Sequence, residues 1–216
     1  MYYLSNYFKF QEELYMKNFY DTVKERRSIY AITKESPISD DKIQEIIEHA
    51  VKHTPSAFNS QSARVVLLLG KEHDKLWDIT TEALRKVVPQ DQFSQTEEKI
   101  NSFKNGYGTV LFFEDNSIVE GLQNQFPLYR DNFPLWSQHS TGMHQYVVWT
   151  ALSAEGLGAS LQHYSELIEE EVKKAWQIPS HYKLIAQMPF GKPSAGPSEK
   201  QYNPIEDRVK VFSKYK

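Results

Sequence analysis

Three short stretches of the chain hold the side chains best suited to chemistry. Arg26-Arg27-Ser28 sets two guanidinium groups beside a hydroxyl, and guanidinium forks match the oxygens of a phosphate. Pro55-Ser56-Ala57-Phe58-Asn59-Ser60-Gln61 places amides and hydroxyls on both sides of one aromatic ring. Side-chain amides read the alternating acceptors and donors of a uracil-like edge. Gly156-Leu157-Gly158-Ala159-Ser160-Leu161-Gln162-His163-Tyr164 leads from a glycine pair into groups that hydrogen-bond or stack. Each has a plainer reading: a solvated helix end, a polar loop, a core strand. Together they suit a phosphorylated, planar heterocycle.

Other chemistries are poorly served. No Gly-x-x-x-x-Gly-Lys loop is present for a nucleoside triphosphate, and no Gly-x-Gly-x-x-Gly follows a strand. His139 and His144 do not share a helical face, and His49 and His53 lack a carboxylate motif, so metal binding is not expected. No Gly-x-Ser-x-Gly elbow marks a hydrolase. Without cysteine there is no disulfide or thiolate chemistry, which fits a reducing cytoplasm. A net charge of −3 with dispersed cations offers no field for nucleic acid, and no apolar run approaches a membrane span. Tyr129, Phe133 and Trp136 suit core or interface packing better than the roof of a pocket.

The elements that must position these groups follow from periodicity. A short helix over 19–26 leads into Arg26-Arg27-Ser28. Ser39, Asp40 and Asp41 start a second, whose Ile43, Ile46, Ile47, Ala50 and Val51 form one buried face, and Thr54-Pro55-Ser56 ends it. Strands are expected over 64–69, 107–113, 157–163 and 183–188. Helices are expected over 71–88, 93–104, 117–125 and 166–176. A long helix over 140–155 should bury Met143, Val147, Thr150, Ala151 and Ala154, after an irregular segment over 126–136. Alternation of this kind layers helices on both faces of a mixed sheet. At 216 residues the chain forms one domain, 16–216, preceded by an extension over 1–15. The polar tail beyond Gly191 suits wrapping another surface, such as a second subunit.

Lys24-Glu25-Arg26-Arg27-Ser28-Ile29-Tyr30, Pro55 to Arg64, Gly158 to Tyr164 and Met188-Pro189-Phe190-Gly191-Lys192-Pro193 together resemble the FMN-dependent nitroreductase family, over residues 16–216, in its compact Frm2/Hbn1-like branch. The resemblance implies an α+β fold, an α/β/α sandwich whose central mixed, largely antiparallel sheet is flanked by helices, in an intertwined homodimer with FMN at the interface. It puts Arg26 and Ser28 on the FMN phosphate with Arg27 alongside. It brings Pro55, Ser56, Ala57, Asn59 and Gln61 from the other subunit to the flavin ring and ribityl chain. Leu161, Gln162, His163 and Tyr164 would border the ring, with His163 and Tyr164 as candidate proton donors, and Lys200 and Arg208 would add phosphate cations. Two departures stand out: Tyr30 replaces a basic residue found in many relatives, and Tyr202 stands where an arginine is usual. The activity implied is two-electron, ping-pong reduction of nitroaromatic or quinone-type acceptors by NADH or NADPH. A flavin-binding regulatory or stress-response protein with little turnover would share every one of these binding residues.

Overall fold

A computed structural model describes residues 18–213; the extension expected over 1–15 lies outside the described residues. Asn18 caps α1 (Phe19–Glu25), its side chain accepting from the Asp21 N–H. Ser39 caps α2 (Asp40–His53) by accepting from the Lys42 N–H, while Asp40 and Asp41 meet the positive end of the helix dipole. Ile43, Ile46, Ile47 and Ala50 of α2 are buried, as the helical spacing predicts; Val51 is half-buried.

The sheet order is β1 (Ile32–Thr33), β5 (Tyr182–Pro193), β3 (Gly108–Asp115), β2 (Ala63–Leu69). At its centre, β3 runs antiparallel to β2 on one side and to β5 on the other, with a bulge between Phe112 and Phe113. The two-residue strands β1 and β4 (Gly158–Ala159) both pair with the far end of β5. Every ladder is antiparallel; the isolated bridge from Ser28 to Ala159 is parallel and makes the sheet mixed.

Both faces of β3 are covered, which is why all eight of its residues are buried. Side chains alternate across a strand. Val110 and Phe112 therefore face α2 and α6 (Phe133–Ala154), where they meet Val148 and Leu152. Leu111 and Phe113 face α3 (Gly70–Arg85), α4 (Phe93–Lys104) and α7 (Ser165–Trp176), among Trp77, Phe103 and Ile168. Each fully buried side chain of this size contributes about 1.5–3 kcal/mol. The result is the expected α/β/α sandwich. Buried polar groups are paired within it: Thr109 Oγ1 accepts from Trp77 Nε1 at 3.1 Å and meets His73 Nδ1 at 2.8 Å, while His73 Nε2 lies 3.1 Å from the Lys104 carbonyl. That carbonyl can only accept, so the proton sits on Nε2 and Thr109 donates to Nδ1. Burial holds the His73 pKa below its ordinary value.

Four expectations need correction. β2 is an edge strand with only Ala63 and Leu68 buried, so its apolar run does not mark a fully covered strand. The strand expected over 157–163 pairs regularly only at Gly158 and Ala159; beyond them the chain touches β5 again at the single bridge from Gln162 to Gln187. The long helix begins at Phe133 rather than Ser140, because Pro134 fits its first turn, where no hydrogen-bonded N–H is needed. It ends, as expected, before Gly156, whose φ of +81° suits glycine. Its buried face is Ser137, Thr141, His144, Gln145, Val148 and Leu152, whereas Met143 and Val147 are exposed. The tail over 194–213 is exposed, with a short helix α8 (Ile205–Arg208) and with Ile205, Val211 and Phe212 open to solvent.

Candidate functional site

The segment between α1 and β1 carries Arg26, Arg27 and Ser28 and is anchored by the Ile29 N–H, which donates to the Ala159 carbonyl at 2.9 Å. With Tyr30, Ser198 and Lys200 these residues line a cavity of about 480 Å³. Tyr30 and Lys200 thus stand on the same side as the arginines. The Arg26 guanidinium lies 4.4 Å from the Trp149 ring centroid and 5.7 Å from that of Tyr146, both on α6. Arg26 Nε and Trp149 Nε1 are buried and have no hydrogen-bond partner. Arg27 Nη2 donates to the Ser198 carbonyl at 2.8 Å. No acidic side chain is among the cavity's lining residues. Three cations, a hydroxyl and an unspent buried donor fit a phosphomonoester. Arg208, exposed on α8, does not line this cavity.

The loop over 55–61 folds back on itself, the Gln61 N–H donating to Ser56 Oγ at 2.9 Å. Phe58, Asn59 and Gln61 all hold left-handed φ values, 56°, 50° and 49°, and none is glycine. Such conformers cost on the order of 1–3 kcal/mol each and persist where surroundings enforce them. At Gln61 Arg64 does so: Nη1 donates to the Gln61 carbonyl at 2.7 Å, Nη2 pairs with Asp115 at 3.0 Å, and Nε donates to Tyr182 OH at 3.0 Å. The Phe58 ring meets Phe126, Tyr129, Phe133 and Trp136. Tyr129 and Trp136 are thus packing residues around Phe58. Pro55, Asn59 and Gln61 are exposed, Ser56 and Ala57 half-buried. This loop packs on the Trp136 end of α6, whereas Arg26 packs on the Trp149 end, about 20 Å further along the helix. One chain alone does not bring the two sets together.

Beneath the loop, Glu114 of β3 is buried. Thr141 Oγ1 donates to its Oε1, and its Oε2 has no partner. Burial pushes this carboxyl above the ordinary range, outweighing the Thr141 hydrogen bond, the nearby Ser62 hydroxyl and the nearby charges of His144 and Arg64.

The third set surrounds a cavity of about 680 Å³ between the middle of α6 and the start of α7, lined by Gln138, Gln145, His163, Tyr164, Glu166 and Lys183 among others. His163 is exposed and reaches it freely. Gln162 is turned inward: its N–H donates to the Gln187 carbonyl at 2.7 Å and its Nε2 to Ser160 Oγ at 3.0 Å. Leu161 is half-buried against the core. The Tyr164 ring stands edge-on to Trp77 at 6.3 Å, and burial raises its phenol pKa, so it stays protonated. The turn is held by Gln187, fully buried on β5. Its Oε1 accepts from the Tyr164 N–H at 2.8 Å, and its Nε2 donates to Ser165 Oγ at 2.9 Å. Gln187, Trp149 and the clamp role of Arg64 escaped the sequence reading. An aromatic residue on the helix facing Arg26 carries no local signal, and a buried amide in an apolar strand is the one cue that was present. Among the described residues, no cluster of three or more histidine and acidic side chains is placed to hold a metal ion.

This antiparallel sheet between two helical layers is the nitroreductase fold. The solved structure of CinD from Lactococcus lactis in complex with chloramphenicol matches it with a TM-score of 0.83 at 41% identity, covering 91% of this chain and all of that one. The chain belongs to the nitroreductase family, whose model matches residues 23–192. The protein HBN1 of Saccharomyces cerevisiae is 37% identical over 194 residues, 89% of this chain and 95% of that protein, as the branch expected from the motifs requires. A Desulfovibrio desulfuricans structure in complex with FMN shares the fold, with a TM-score of 0.65 at 18% identity over 91% of this chain and 99% of that one. The family makes this protein an oxidoreductase. Among the described residues no helix is long and apolar enough to cross a membrane.

Proposed function

We propose that the chain is an FMN-dependent NAD(P)H oxidoreductase of the cytoplasm that reduces nitroaromatic or quinone-type acceptors by ping-pong transfer, working as a homodimer. The observation that carries this reading is the cavity lined by Arg26, Ser28 and Lys200, with no acidic side chain in its lining. The CinD structure in complex with chloramphenicol, a nitroaromatic molecule, supports the acceptor class.

When bound, the flavin supplies two-electron exchange with first a nicotinamide and then an acceptor in the same place. The chain supplies the rest. Arg26, Ser28 and Lys200 hold the phosphate. The turn built on Gln187 fixes the main chain around His163, and His163, exposed at the cavity, is the residue placed to pass a proton; Tyr164, turned toward Trp77, positions the turn. Ser56, Asn59 and Gln61 read the ring from a second copy, whose approach would cover Met143, Tyr146 and Val147 on α6 and receive the tail's exposed Ile205, Val211 and Phe212. The left-handed conformers of Asn59 and Gln61, the second held by Arg64 at its carbonyl, are arranged before the ligand arrives.

The test is spectroscopic. Purified protein is expected to be yellow, to bleach under anaerobic NADH or NADPH, and to recover its colour on adding chloramphenicol or a quinone. Initial rates at varied concentrations of both substrates should give parallel double-reciprocal lines. A colourless protein that stays so after adding FMN would contradict the reading, and intersecting lines would contradict the ping-pong order. Colour that no nicotinamide bleaches would favour a regulatory flavoprotein instead.

A further inference from the structure

Arg27 and Arg26 are neighbours in sequence, yet the fold uses them differently. Arg26 lies over the rings of Trp149 and Tyr146 on α6, its Nε without a partner. Arg27 spends Nη2 on a main-chain carbonyl 171 residues further along, that of Ser198. After the Ser194 N–H, which donates to the Ala31 carbonyl at 2.8 Å, this is the next hydrogen bond that ties the C-terminal segment to the body among the described residues. The segment it holds, 196–200, forms one wall of the cavity and delivers Lys200 to it. Lys200 has no ion-pair partner among the described residues; its Nζ sits 5.0 Å from the Tyr202 ring centroid.

We infer that Arg27 is a latch rather than a phosphate ligand: it holds the 196–200 strap across the cavity so that Lys200 can meet the phosphate. This deepens the flavin reading and rests on it. A charge-assisted bond to a carbonyl outlasts a neutral one, and a strap carrying the third cation makes phosphate affinity depend on strap closure. Arg27 is therefore a positioning residue, and its effect on the ligand passes through Lys200.

Two measurements on the full chain test the latch. The first is a double-mutant cycle on FMN affinity, with Arg27→Met, Lys200→Met and the pair, each compared with riboflavin as the phosphate-free control. Arg27→Met is expected to weaken FMN about tenfold and leave riboflavin unchanged. In the Lys200→Met background the same substitution should cost less than about twofold. The second is limited trypsin cleavage after Lys200 in the FMN-free protein, followed by mass spectrometry of that fragment. Cleavage there should be about tenfold faster in Arg27→Met, and Arg27→Lys should restore part of the resistance. If the two losses multiply in the double variant, Arg27 touches the phosphate itself and the latch is wrong. Unchanged cleavage after Lys200 would overturn it equally. Should the wild-type chain take up no FMN at all, the flavin reading fails, and the cleavage experiment still decides whether Arg27 closes the strap.

Discussion

Replacing Gln187 by methionine keeps the side chain's length and most of its volume while deleting its two hydrogen bonds. Little cavity forms, so the loss reports hydrogen bonding. The Tyr164 N–H loses the acceptor it holds at 2.8 Å, and Ser165 Oγ loses the donor at 2.9 Å. The main-chain bridge between Gln162 and Gln187 survives, since it uses no side-chain atom. A buried group left unsatisfied costs about 1–3 kcal/mol. Gln187 is fully buried and Ser165 nearly so, while Tyr164 is half-buried and its N–H is the more easily reached by water. Burying a thioether instead of an amide offsets roughly 1 kcal/mol. The net expectation is a loss of about 2 kcal/mol in equilibrium urea unfolding, with an unchanged m-value. The loosened 162–165 turn should also weaken FMN binding, with no loss of the phosphate preference measured against riboflavin. A loss below about 0.5 kcal/mol would refute the reasoning, because it would mean that Gln187 does not hold the turn.

Glu114→Gln tests the buried carboxyl. Its pKa is raised in the folded state, so its contribution to stability is full below the unfolded carboxylate pKa and declines as pH rises through the folded value. The melting temperature of the wild type should therefore fall relative to that of Glu114→Gln as pH rises above the unfolded carboxylate value, about 4.5, toward neutrality. A constant difference across that range would contradict burial as the cause. Phe58 tests the left-handed loop: Phe58→Ala removes the ring contacts and keeps a Cβ at φ 56°, whereas Phe58→Gly removes both. Glycine is thus expected to be the more stable of the two by about 0.5–1 kcal/mol in urea unfolding, the reverse of its usual rank. Alanine equal or superior to glycine would mean that the loop relaxes out of its observed conformation.

Local signals made much of this fold legible. The cap at Ser39 and the isoleucine stripe after it marked α2 because both are short-range features of a helix. Gly156 marked the end of α6 for the same reason. What failed was long-range. The 157–163 run is apolar enough for a strand, yet Gln162 turns back to β5 through a bridge whose partner lies far along the chain. Helix α6 carries apolar side chains on both faces and polar ones on its core face, so periodicity could not tell that face from the one bearing Met143 and Val147. Of its buried polar residues, Thr141 answers to Glu114, a partner invisible from within the helix. The arginine–serine motif was visible as a motif, but not the stacking of Arg26 on Trp149 or the turning of Arg27 toward Ser198. The left-handed residues at 58, 59 and 61 gave no sign because none is glycine; ring contacts from far along the chain hold Phe58, and Arg64 holds the Gln61 carbonyl.

The most direct test of a site shared between two chains is complementation by mixed dimers. Arg26→Met with Lys200→Met in one chain disables the phosphate set, and Asn59→Ala with Gln61→Ala in another disables the ring set. Each parent alone should hold little FMN. Unfolding and refolding an equal mixture should yield about a quarter of the wild-type FMN content, because random pairing makes about half the dimers mixed and each mixed dimer has one intact site. Flavin content no higher than that of the two parents would contradict a site assembled from two chains.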